Sequence, residues 1–189
     1  TVSEPTEICQ GADNVTFEVA QIANASSYVW TIPSGATIVS GENTRRIIVN
    51  FSESSTGGIV NVYGKNSCGT GVQSPDHTIS VNSKPIITTD QYKSICTSAD
   101  SLIADDPGGA TITWQLTEGQ GSIADPNAFE TEVTSLGRGI NRFEVTMTSN
   151  SCSAKDTVAI ENNQLFVNAG ADATLCSGSY QLSGSIPDP

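Results

Sequence analysis

The sequence predicts an all-β protein made of tandem β-sandwich modules. Three observations carry that prediction. Ser, Thr, Asn and Gly abound while 15% of residues are charged, a mixture that suits short strands and turns rather than helices. Runs of alternating apolar residues recur about every ten residues with turn residues between them, the spacing of a sandwich. The chain also repeats itself. Cys9, Trp30 and Cys68 are followed by Cys96, Trp114 and Cys152, and each Trp precedes its second Cys by 38 residues.

The elements follow in order. In the first repeat Val15, Phe17 and Val19 alternate along one strand. Tyr28-Val29-Trp30-Thr31-Ile32 sets its large residues on one face, with Trp30 inward as core. Arg46–Phe51 is a third run. Gly57-Gly58 then turns the chain into Ile59–Tyr63, which leads to Cys68. Val81-Asn82-Ser83-Lys84-Pro85 is a polar joint. In the second repeat Leu102 marks an early strand, and Ile112-Thr113-Trp114-Gln115-Leu116 repeats the Trp strand with Trp114 as core. Val133 marks a middle strand. Gly137-Arg138-Gly139 turns into Phe143, Val145 and Met147, which alternate towards Cys152. A third start follows at Ala169-Gly170-Ala171-Asp172, with Cys176 and Tyr180-Gln181-Leu182 behind it. The expected modules are 1–83, 84–167 and a truncated start at 168–189. Short joints between them predict a stiff array.

Wide cysteine spacing in an acidic chain predicts disulfides and an oxidising compartment. The repeat predicts one bond per module, Cys9 with Cys68 and Cys96 with Cys152, and leaves Cys176 unpaired because its module is cut short. Closing either loop would stabilise a module by roughly 3–4 kcal/mol on the chain-entropy account.

Composition also excludes classes of function. Eight basic and 20 acidic residues give a net charge of −12, which argues against nucleic acid and against anionic membrane surfaces. No run approaches the length of a membrane span, so direct membrane insertion is not expected. Thr1–Pro5 has neither a basic nor an apolar leader region, so the chain reads as a mature form or as a piece of a larger protein. No CxxC pair and a single His leave little room for a zinc site. The same scarcity closes most routes to nucleophilic catalysis.

Several of these strings have a familiar form. Tyr28-Val29-Trp30-Thr31-Ile32-Pro33-Ser34-Gly35-Ala36 resembles the central motif of PKD-like modules, Y-x-W-x-x-P-x-G-A. Val62-Tyr63-Gly64-Lys65-Asn66-Ser67-Cys68-Gly69 resembles their closing strand. The second repeat, through Trp114, Gly119–Ile123, Val133–Leu136 and Gly139–Phe143, is similar to related Ig-like repeats of very large Bacteroidota surface proteins. Ala169–Cys176 looks like the start of another. The resemblance implies tandem Ig-like/PKD-like sandwiches at the extracellular cell surface, export by the type IX route, and the company of gliding-motility adhesins.

Candidate sites are few. Asp105-Asp106-Pro107-Gly108-Gly109 and Asp125-Pro126-Asn127 read first as turns. With Asp172, the carboxylates of Asp105, Asp106 and Asp125 are candidate calcium ligands at a joint. No other cofactor is expected. Asp100-Ser101-Leu102 and Asp156-Thr157-Val158 match the short D-[ST]-[aliphatic] pattern of Bacteroidota O-glycosylation, which makes Ser101 and Thr157 candidate attachment points. The sequons at Asn14, Asn24 and Asn50 matter only in a eukaryotic host. His77 reads as a locally bonded histidine, and Tyr92 and Tyr180 as scattered surface aromatics.

The expected role is structural and adhesive. The chain reads as a non-catalytic segment of a long surface filament, with neighbouring repeats and surface glycans or other cell-surface components as partners. The alternative is a spacer or carbohydrate-binding accessory region of a secreted polysaccharide-degrading enzyme.

Overall fold

The computed structural model describes residues 2–165 except Glu4 and Pro107, together with isolated positions beyond them. Most of 166–189 lies outside the described residues, including Asp172, Tyr180 and most of the expected third module. No helix occurs among the described residues. The chain divides into two compact units. One holds residues 1–86 with 148–154, the other 87–147 with 155–189.

In the first unit the strands are β1 (Val2–Ser3), β2 (Glu7–Cys9), β3 (Val15–Val19), β4 (Ser27–Thr31), β5 (Ala36–Ser40), β6 (Arg46–Phe51), β7 (Gly58–Asn66), β8 (Gly69–Thr70) and β9 (His77–Asn82). One sheet runs β1-β3-β6-β5. The other runs β2-β9-β7-β4, with β8 folded back on β7. Alternation along each strand supplies the core between them. Phe17, Ile47 and Val49 from one sheet and Val60 and Val62 from the other are fully buried. Phe17 meets Phe51 edge to face at 6.5 Å between ring centroids, a favoured aromatic geometry.

The second sequence repeat follows the same plan with β10 (Tyr92–Ile95), β11 (Asp100–Ile103), β12 (Thr111–Glu118), β13 (Ser122–Ile123), β14 (Glu130–Thr134), β15 (Gly139–Ser149) and β16 (Cys152–Asn162), the hairpin at 148–154 between the last two counting with the first unit. Its sheets run β11-β14-β13 and β10-β16-β15-β12. Both units open their larger sheet with a parallel pair, β2 on β9 and β10 on β16. Leu102, Val133, Phe143, Val145 and Met147 are buried completely.

The two tryptophans confirm the repeat in atomic detail. Trp30 Nε1 donates to the Thr44 carbonyl at 2.8 Å, and Trp114 Nε1 donates to the Ala128 carbonyl at 3.1 Å. Both bonds span 14 residues of chain. Trp114 is 2% exposed. Trp30 packs against the core of its unit and is half-buried there. Tyr28 on the same strand is the more deeply buried aromatic, with the Ile22 amide donating to the Tyr28 hydroxyl.

The second unit is also pinned by a polar side chain in its core. Asn141 is fully buried. Its Nδ2 donates to the carbonyls of Gly137, Gly139 and Ile160 at 2.9, 3.2 and 3.3 Å. Its Oδ1 accepts from the Gln120 amide at 2.8 Å. Buried polar groups are tolerated when they are satisfied in this way. The close approach requires a glycine. At Gly119, where φ is +83°, a Cβ would fall 2.5 Å from Asn141 Oδ1.

Candidate functional site

The cysteines depart from the expected pairing. Cys9 is bonded to Cys152, with Cα atoms 5.6 Å apart and a sequence separation of 143. Cys68, Cys96 and Cys176 are free and exposed. Strand register explains why Cys9 does not meet Cys68. On β9, Cys9 lies opposite Asn82, and Ile79 lies opposite Gly58 at the start of β7. Cys68 follows the other end of β7, a strand of nine residues. The two cysteines therefore sit at opposite ends of one sheet, about 30 Å apart along the strands. A disulfide needs Cα atoms within about 7 Å.

The same argument separates Cys96 from Cys152. Ile95, just before Cys96, pairs with Asn162 at the end of β16. Cys152 opens that strand of 11 residues, again about 30 Å away. Equal spacing in the two repeats marks cysteines in equivalent places, and equivalence of place is not proximity.

Each repeat thus carries two cysteine positions. The first closes the parallel strand, in Ile8-Cys9 and in Ile95-Cys96. The second stands at a tight turn, and the tripeptide there is the same in both repeats: Asn66-Ser67-Cys68 and Asn150-Ser151-Cys152. Asn150 and Ser151 take φ of +47° and +63°, the conformation of a two-residue hairpin turn, which asparagine tolerates well. At the other turn Asn66 acts twice. Its Oδ1 accepts from the Cys68 amide at 2.8 Å, and its Nδ2 donates to the Asn24 carbonyl at 2.9 Å. The observed bond joins the first-position cysteine of the first repeat to the second-position cysteine of the second.

The remaining candidates are scattered. Asp105, Asp106 and Asp125 are exposed in turns. Asp106 Oδ1 accepts from the Gly108 amide and Asp125 Oδ1 from the Asn127 amide, at 2.8 and 2.9 Å. These are carboxylates capping their own backbone. No group of three or more metal-ligating side chains forms among the described residues. Thr157 is exposed on β16, while Ser101 is half-buried on β11, where its carbonyl accepts from Lys93 Nζ at 2.8 Å. His77 opens β9 with its Nε2 2.9 Å from the Pro5 carbonyl oxygen and its ring T-shaped to Phe17 at 6.4 Å between centroids. Tyr92 donates its hydroxyl to Glu161, and that hydrogen bond, followed by desolvation and the carboxylate's charge, raises its pKa above the ordinary 10.0.

These strands, turns and cysteines can be set beside known proteins. Residues 1–79 match the PKD-like domain family. No curated protein matches the chain. Among solved structures, the I-band fragment I67–I69 of titin is similar at 12% identity and a TM-score of 0.34, over 84% of this chain and 62% of that one. The fibronectin(III)-like modules of Clostridium thermocellum CbhA are similar at 15% identity and a TM-score of 0.39, over 87% and 94%. A SusE-like surface-located polysaccharide-binding protein from the Bacteroides thetaiotaomicron heparin utilisation locus is similar at 10% identity and a TM-score of 0.43, over 86% and 34%. The PKD-like match covers most of the first unit. The second unit shares its strand plan, with the parallel opening pair and the Trp-to-carbonyl bond.

Proposed function

We propose that this chain is a non-catalytic repeat segment of a long exported surface protein, serving as a stalk and multivalent adhesive array of the gliding-adhesin kind. The observation that carries the reading is the bond from Cys9 to Cys152. Such a bond persists in an oxidising, extracytoplasmic compartment. It ties one sequence repeat to the next, which suits a part that bears load rather than one that turns over substrate. The PKD-like match of residues 1–79 supports the same role.

Neighbouring repeats are the first partners. Contact with surface glycans or other cell-surface components is weak per repeat and gains strength from repetition along the array. The net charge of −12 keeps the array soluble. Thr157, exposed on β16, is the better placed of the two glycan acceptors.

The test is recovery of the native parent polypeptide from intact cells by surface proteolysis, with its flanking peptides sequenced. Further repeats on both sides and loss of surface label after proteolysis are expected. A catalytic domain directly beside these modules would demote them to a spacer. An intracellular parent would overturn the reading altogether.

A further inference from the structure

The turn at 148–154 is held unlike the strands it joins. β15 and β16 run on into the second unit, yet 148–154 counts with the first. Its side chains give it little to stay there by. Ser149-Asn150-Ser151-Cys152-Ser153 has no apolar residue besides the cysteine. None of the apolar side chains that build or flank the first core comes from 148–154. Asn150, Ser151 and Ser153 are exposed. The Asn150 carbonyl accepts from Asn82 Nδ2 at 3.3 Å on the surface, a bond that water replaces at small cost. A polar tip of this kind buries too little apolar surface to be kept in place by packing. Cys152 is the exception, 1% exposed and bonded to Cys9.

We propose that the Cys9–Cys152 bond is a redox latch, whose reduction releases the 148–154 tip from the first unit while both sandwiches stay folded. Its use rests on the reading of the chain as part of a stalk. Latched, the two repeats share a second covalent link besides the peptide joint. Unlatched, they are linked by the joint alone. That joint is lightly held: Ile86 is 80% exposed, and Lys84 keeps an exposed ion pair with Glu53, which is worth little in water. Oxidised segments are therefore stiff, and reduced segments bend at 83–86.

The chemistry balances with a dithiol reductant. Cys9 is half-buried and is the more accessible end of the bond. One thiolate of the reductant attacks the Cys9 sulfur and expels the Cys152 thiolate. The second thiolate attacks the reductant sulfur of the mixed disulfide and expels the Cys9 thiolate. The protein gains two electrons and two protons, and the dithiol leaves as a cyclic disulfide. A change of this kind can switch a fold when it biases one local element, here the tip.

The test uses the whole chain, reduced with dithiothreitol, and Cys9→Ser, which supplies the unlatched state without reductant. Timed alkylation with iodoacetamide is read thiol by thiol in a mass spectrometer, with the exposed Cys68 as reference. In Cys9→Ser, Cys152 should alkylate within about tenfold of Cys68. Small-angle X-ray scattering should show a wider spread of intramolecular distances, the tryptophan emission maximum should stay where it is in the oxidised chain, and reoxidation of the reduced chain should restore the narrow spread. A Cys152 that lags Cys68 by more than this factor would mean that the tip stays seated without its bond, and would overturn the latch. An unchanged scattering profile would overturn it too. So would tryptophan emission moving to that of the unfolded chain, because the bond would then be a staple of the whole fold. None of these failures touches the assignment of the chain to a surface protein, which is read from the native parent.

Discussion

Tension applied at the two ends of this chain enters at Cys9, crosses the sulfur bridge to Cys152 and leaves through β16. Residues 10–151 lie inside the covalent ring and carry none of it along their backbone. The bond spans 143 residues, so at about 3.6 Å per extended residue the hidden length is about 510 Å. Oxidised chain stretched in optical tweezers should extend only by its two tails, residues 1–9 and 152–189, at most about 160 Å. This limit holds whether or not the enclosed strands unfold. Reductant, or Cys9→Ser, should release the hidden length in the same trace. The bond also stabilises at rest. A ring of 143 residues contributes about 5 kcal/mol on the chain-entropy account, so the variant should melt earlier as well. Equal extension with and without reductant would refute the observed pairing. An increment near 210 Å would instead point to a ring of about 59 residues, the length of a Cys9–Cys68 loop.

Other consequences can be checked in solution. Trp114→Ala should cost about 3–5 kcal/mol in urea unfolding, while Trp30→Ala, at a half-buried site, should cost clearly less; equal losses would contradict the difference in burial. Asn141→Ala removes a side chain that satisfies four backbone groups, and should lower stability by about 2–4 kcal/mol; an unchanged urea midpoint would count against the network. Tyr92 should ionise above the ordinary tyrosine range in an ultraviolet pH titration, and Tyr92→Phe should remove that high step. The sign follows from its raised pKa. The neutral phenol is favoured in the fold, so its contribution is complete below the unfolded pKa and is lost as pH rises through the folded one. In native material, peptide mapping should find a glycan mass on the Thr157 peptide, and Thr157→Ala should abolish it.

Much of the fold is written locally and so can be read from sequence. Val15, Phe17 and Val19 alternate because β3 has one wet face and one dry face, and the same holds for Phe143, Val145 and Met147 on β15. Trp114 reads as core because its strand alternates without interruption. Asn141 is instructive because the same alternation already sets it on the inner face, two residues before Phe143. Amide chemistry suggests solvent, and only the carbonyls of Gly137, Gly139 and Ile160 make the interior habitable for it. The signal was a polar residue in phase with a buried run.

The cysteines required information of another kind. A repeat in sequence reports that two residues occupy the same place in two copies of a fold, and it is silent on which places are near each other. Within one sandwich the first-position and second-position cysteines lie at opposite ends of the same sheet, so no rotamer choice could join them. Register decides this. Had β7 been only a few residues long, the pairing expected from spacing would have been within reach. Because β7 and β16 are long, 9 and 11 residues, each repeat displays its two thiols at its two ends. A sandwich with one cysteine at each end cannot join the two within itself. The tripeptide Asn-Ser-Cys is repeated unchanged at positions 66–68 and 150–152, yet only the second copy of it holds a bonded cysteine. Cys152 has its partner in Cys9 because strand register brings those two together, while the same register holds Cys68 and Cys96 away from the partners that spacing suggested, free and exposed.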